Sequence, residues 1–115
     1  MAINNIGFLN NTLRILSCSG ATLINQIEIM KLTNLTELYC EQHFKGFDDN
    51  KFIKNVNHLT YTLKILNCSG MYNKIDQNGI SKLQVLKKLN CNNNRHINDV
   101  NHLSKCLENL NCLNY

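Results

Sequence analysis

The chain has 115 residues, of which 43% are hydrophobic and 17% are charged, and its net charge is +4. This composition favours one folded domain over residues 1–115 and excludes a disordered chain. The basic residues are scattered, and Lys87 and Lys88 are the only adjacent pair, so nucleic-acid binding is not expected. No apolar run is long enough to span a membrane, and the first residues show no secretory signal pattern.

A six-residue phrase, Leu-x-x-Leu-x-Cys, recurs five times along the chain. The cysteines that end the five copies lie 21 to 28 residues apart. Repeats of this length are typical of a solenoid, in which structural units stack on one another and share a core. The five cysteines are Cys18, Cys40, Cys68, Cys91 and Cys112.

Each copy of the phrase predicts a short strand. The second Leu and the Cys lie two residues apart, as Leu16 and Cys18 do, so a strand places both on one face. We expect that face to be buried and the residue between them to point outward. The predicted strands lie near 14–18, 36–40, 64–68, 87–91 and 108–112.

Between the phrases the apolar spacing changes from two residues to three or four. Val100 and Leu103 follow Asp99 at a helical spacing, and Asp is a common residue at a helix start. Each repeat is therefore predicted as strand, loop, short helix and return. The helices are predicted after Asp49, Asp76 and Asp99, with a late start after Asp76, and a less regular one within 26–35.

The recurring phrase resembles the leucine-rich repeat family, whose motif is Leu-x-x-Leu-x-Leu-x-x-Asn-x-Leu. The resemblance implies an α/β solenoid of about five repeats, with parallel strands on its concave face and short helices on its convex face. It also implies binding of a protein partner. The Asn-rich and Cys-bearing style is similar to repeat proteins encoded by giant DNA viruses of amoebae.

Two features depart from that family pattern. Cys replaces the third Leu in every repeat, and only Asn94 fills the Asn position. In the family this Asn bridges backbone groups of the turn, so most turns here are expected to close differently. Ala21, His43, Met71 and Tyr115 stand at the other four Asn positions.

The cysteines have three interpretations, which are buried thiols, disulfides and a metal site. Neighbouring parallel strands lie about 4.8 Å apart, whereas the Cβ atoms of a disulfide lie about 3.8 Å apart. We therefore expect buried reduced thiols, with Cys106 the most exposed, while a disulfide stays an alternative. Metal sites usually contain a close pair such as Cys-x-x-Cys, and this sequence has none, so a metal site is not expected. Reduced thiols predict an intracellular, cytoplasmic location, in a host cell if the chain is viral.

No catalytic constellation is present, and buried cysteines are poor nucleophiles, so we expect a non-catalytic protein without a cofactor. The candidate binding site is the set of outward strand residues, which we call the outer sheet face. Tyr39 is its aromatic anchor. Its amides could instead simply bond to one another as a ladder. The outer sheet face consists of Ile15, Ser17, Glu37, Tyr39, Glu41, Ile65, Asn67, Lys88, Asn90, Asn92, Asn109 and Asn111.

Two other functions stay open. The first is a structural or assembly role through uncapped repeat ends, because solenoids usually have polar capping units and we recognise none in this sequence. The second is a substrate-recognition fragment of a ubiquitin-ligase adapter, which would need an F-box upstream of the repeats. The long second repeat carries Phe44 and Phe47, which could form a contact site but which we expect to pack beneath their loop.

Overall fold

The computed structural model describes residues 12–19, 24–44 and 52–113. It is an α/β structure with five parallel strands in one sheet, in the order of the chain, as the repeats predict. Each strand lies inside one of the five predicted ranges. The strands are β1 (Ile15–Ser17), β2 (Glu37–Tyr39), β3 (Ile65–Asn67), β4 (Lys88–Asn90) and β5 (Asn109–Asn111).

The register of the sheet aligns equivalent positions of the repeats. Leu66 of β3 stands between Leu38 of β2 and Leu89 of β4, and all three side chains are buried. The following cysteines of these repeats are buried as well. Successive side chains of a strand point to opposite faces of the sheet. The buried leucines and cysteines therefore form the core, and the residues that alternate with them lie on the other face.

Within the described residues, the segments between the strands contain one α-helix and three single 3-10 turns. The helix, α1 (Gln26–Met30), begins after Asn25, whose side-chain oxygen accepts a hydrogen bond from the N–H of Glu28 at 3.0 Å. Elsewhere in the described segments the predicted short helix is a single 3-10 turn rather than an α-helix. These turns span Asn57–Leu59, Asn78–Ile80 and Asn101–Leu103.

The aspartates that were expected to begin helices explain this difference. Asp99 accepts a hydrogen bond from the N–H of Asn101 at 2.9 Å, and Asp76 accepts one from Gly79 at 2.8 Å. Such local bonds close tight turns. One buried anchor per turn, such as Leu103, then suffices before the chain enters the next strand. Asp49 lies outside the described residues.

Polar side chains join each return segment to its neighbour. The side chain of Gln26 donates to the carbonyl of Asn55 and accepts from the N–H of Lys54 and of Asn55. Gln77 makes the same three bonds with Asn98 and Asp99. Repeated inter-unit bonds of this kind satisfy backbone groups that a turn leaves unpaired.

Two histidines hold equivalent places on the same side of the molecule. Nε2 of His58 lies 3.0 Å from the carbonyl oxygen of Ile29, and Nε2 of His102 lies 3.1 Å from that of Ile80. Both contacts reach back to a neighbouring unit. Burial lowers the pKa of His58. Their placement agrees with structural histidines rather than metal ligands.

Buried asparagines close two of the turns that follow the strands. Asn94 donates to the carbonyls of Cys68 and Ile75, and its oxygen accepts from the N–H of His96. Asn73 reaches back in the same way to the carbonyl of Cys40. The expectation that only Asn94 serves this role is therefore wrong, because Asn73 serves it two residues after Met71.

Gly70 lies where these turns approach one another. Its φ is +108°, and an added Cβ would lie 2.0 Å from the carbonyl oxygen of Gln42. Only glycine fits this combination of backbone conformation and close contact.

Within the described residues, no helix is both long and apolar enough to cross a bilayer.

Candidate functional site

The outer sheet face has the two rows that the alternation predicts. One row crosses the sheet at the first residue of each strand and the other at the last. Glu41 and Asn92 follow β2 and β4. Every predicted residue is exposed or half-buried. The first row is Ile15, Glu37, Ile65, Lys88 and Asn109, and the second is Ser17, Tyr39, Asn67, Asn90 and Asn111.

On β2 and β3, polar side chains of the outer sheet face form hydrogen bonds with one another. The hydroxyl of Tyr39 donates to Glu37 at 2.7 Å, and this bond to a carboxylate raises the pKa of Tyr39. The amide of Asn67 donates to Glu41 at 2.7 Å. These bonds fix the orientation of the aromatic ring and leave a rigid, acidic region. A fixed aromatic side chain binds a partner with little loss of conformational entropy.

The half of the face on β4 and β5 is different, because several of its polar side chains make no bond to another described residue. Among the described residues, no hydrogen bond or ion pair is made by the side chains of Lys88, Asn109 and Asn111. The oxygen of Asn90 accepts from the N–H of Asn92 at 3.1 Å, which leaves its NH₂ group available. This region therefore offers one cation and several amide groups to a ligand.

The amides do not form a ladder across the described strands. Asn67 bonds to the N–H of Ser69, just as Asn90 bonds to Asn92 two residues further along its own chain. These local turns direct each amide away from its neighbour in the next strand. The described amides therefore do not form the ladder that the sequence left open as an alternative.

A concavity of about 260 Å³ brings most of the face together. It extends from Tyr39 on β2 across Ile65 and Lys88 to Asn111 on β5. The predicted site thus has a polar centre on β2 to β5. Five of its predicted residues do not line the concavity, namely Ile15, Ser17, Glu37, Glu41 and Asn92.

The cysteines differ in part from the prediction. Cys18, Cys40 and Cys68 are buried thiols, as expected, but Cys91 and Cys112 form a disulfide between β4 and β5. Their Cα atoms are 4.7 Å apart, which lies within the range that disulfides span. The expectation that all stacked cysteines are reduced is wrong for this pair. The cysteine pattern consequently no longer argues for one compartment.

Burial also makes the thiols chemically inert. Burial raises the pKa of Cys18 and of Cys68 to about 12, and it raises that of Cys40 well above its usual value. The thiolate is the reactive form, so these groups are poor nucleophiles. Within the described ranges, no three Cys, His, Asp or Glu side chains are grouped so that they could hold a metal.

We predict that Cys18, Cys40 and Cys68 react with a thiol reagent far more slowly than the half-buried Cys106 in the native protein, because their thiolates are scarce and covered. Stopped-flow titration at mildly alkaline pH measures this. Cys106→Ser should remove the fast phase, unfolding should expose all remaining thiols, and reduction should add two more from the disulfide. A buried cysteine that reacts as fast as Cys106 would contradict the prediction.

Sequence reasoning misplaced one aromatic residue. Phe44 is 78% exposed, so the expectation that it packs beneath its loop is wrong, and Phe47 lies outside the described residues. Phe52 and Ile53 are buried, as the apolar spacing after Asp49 predicts.

The comparisons with known proteins add no further constraint. No protein-family model matches the chain, and no curated protein and no solved structure matches it. The function therefore has to be argued from the repeats and from the outer sheet face alone.

Proposed function

We propose that this chain is a leucine-rich-repeat solenoid that binds a protein partner through the outer sheet face, which forms its concave side, and that it is not an enzyme. The five aligned phrases and the parallel sheet support the repeat assignment. The outward rows support binding, because a solenoid presents such rows as one extended surface.

One observation carries the proposal, namely that polar side chains with free donors among the described residues line one concavity with an oriented aromatic ring. The amides of Asn90, Asn109 and Asn111 carry both donors and acceptors, which match the peptide groups of an extended segment. Lys88 matches a carboxylate on that segment. Tyr39 supplies the apolar contact that most often anchors an interface.

The test is affinity capture with the 115-residue chain as bait, followed by binding measurements with the captured protein. Tyr39→Ala should weaken binding by tenfold or more, since anchoring aromatic residues contribute about 2 kcal/mol or more. Asn90→Ala should weaken it less. Tyr61→Ala is the matched control, because Tyr61 is exposed and lies outside the outer sheet face.

The outcomes separate the proposal from its alternatives. Equal binding by Tyr39→Ala, Asn90→Ala and the control would show that the partner uses another surface. Loss of binding in the Tyr61→Ala control alone would point to the return segments. Far-ultraviolet circular dichroism of each variant shows that a loss of binding does not come from unfolding.

A further inference from the structure

β5 is the edge of the sheet within the described residues, and its core-facing side chain is poorly covered. Leu110 is aligned with the buried leucines of the other strands, yet 45% of it is exposed. Leu113 is exposed beyond it, and Leu107 and Cys112 are half-buried. A groove of about 640 Å³ runs beside Leu110 and is also lined by Val100. An apolar surface therefore lies next to an edge strand.

The backbone of β5 adds unpaired groups to this surface. The N–H of Asn109 donates to the carbonyl of Lys87 at 3.1 Å, and the carbonyl of Asn111 accepts from the N–H of Cys91 at 2.7 Å. These bonds direct the backbone of Asn109 and Asn111 at β4. Backbone groups alternate in direction along a strand, so those of Leu110 point away from β4. Such an edge readily pairs with a strand of another chain.

We propose that two copies of this chain associate through β5, with the two strands antiparallel about a twofold axis at Leu110. In this register the two Leu110 residues exchange both backbone hydrogen bonds, and their side chains pack together on the core side. Asn109 of one copy faces Asn111 of the other, and their amides supply donors and acceptors to each other. The same patch serves both copies, so the assembly closes at two chains.

Charge complements this antiparallel arrangement. Glu108 precedes β5, where its carboxylate lies 4.0 Å from the amine of Lys87 in its own chain, whereas Arg95 lines the groove near Cys112 at the opposite end of the strand. Antiparallel pairing brings Glu108 of one copy to the end of β5 where Arg95 of the other copy lies. Asp99 also lines the groove, and its side chain accepts a hydrogen bond from Asn101. The surface therefore fits a second copy of the chain. It shares only Asn109 and Asn111 with the outer sheet face, and the proposal rests on the edge strand and on Leu110.

Sedimentation velocity over a wide concentration range tests the proposal on the whole chain. We expect a reversible equilibrium between monomer and dimer. Leu110→Lys should abolish the dimer, whereas Met71→Lys, which changes a similarly exposed apolar residue away from β5, should leave it unchanged. Arg95→Glu and Glu108→Arg should each raise the dissociation constant on the order of fivefold, and the double variant should recover most of this loss.

Other outcomes overturn the proposal. A chain that stays monomeric at every concentration has no such interface, and a Leu110→Lys variant that still dimerises uses another one. Species that keep growing beyond two chains indicate head-to-tail association. A dimer that persists only on non-reducing denaturing gels is a covalent cysteine product. Failure of the charge-swapped double variant to recover the dimer overturns the antiparallel register.

Discussion

Replacing Leu66 with Ala is expected to lower the free energy of unfolding by about 2–5 kcal/mol, because the change removes buried methyl groups and leaves a cavity. Leu66 is 0% exposed and lies in the central strand between Leu38 and Leu89. Urea denaturation followed by circular dichroism measures the change as a lower midpoint.

Leu110→Ala is the matched control, because Leu110 occupies the same repeat position in β5 but is 45% exposed. Its replacement should cost about 1 kcal/mol or less, since little buried apolar area is removed. Both variants are compared at high dilution so that association through β5 does not contribute to stability. Equal losses in the two variants would contradict a core that runs along the leucine row.

The strands could be predicted from the sequence because a strand has a side-chain period of two. Leu and Cys recur at that spacing in every repeat, and burial of Leu66 and Cys68 follows from it. The return segments could not be predicted as well. The apolar residues near Asp99 fit a helix, but the carboxylate closes a tight turn locally, and the spacing of apolar residues does not reveal which bond an Asp side chain makes.

The outward position of the site residues follows from the same period, but their bonding does not. Tyr39 with Glu37 and Asn67 with Glu41 form pairs, whereas Lys88 in the same row as Glu37 has no partner among the described residues. This division between two halves of the face depends on side-chain conformations. The disulfide between Cys91 and Cys112 could not be predicted either, because an ideal strand spacing does not fix the direction of two neighbouring sulfur atoms.

Asn73 shows how an insertion hides a structural residue. It bonds to the carbonyl of Cys40, as Asn94 bonds to that of Cys68, but it stands two positions later in its repeat. Alignment by fixed spacing from the preceding cysteine therefore points to Met71. The pattern Asn73-Lys74-Ile75, an Asn two residues before a buried Ile, is the signal that identifies it.

Replacing Asn94 with Ala is expected to lower the free energy of unfolding by about 2–4 kcal/mol, because each buried polar group left unpaired costs about 1–3 kcal/mol. The variant orphans the carbonyls of Cys68 and Ile75 and the N–H of His96. The measurement is again the urea midpoint. Faster hydrogen exchange at the amide of His96, read by NMR, would show that the loss arises at this turn.

Asn111→Ala provides the comparison that isolates burial from residue type. The Asn111 side chain is exposed and has no bond to any described residue, so its removal should change the free energy of unfolding by about 0.5 kcal/mol or less. If Asn94→Ala were as mild as this control, water would have to replace all three bonds. The buried asparagines would then be dispensable to the stacking of the repeats, and the turns would be held by apolar packing alone.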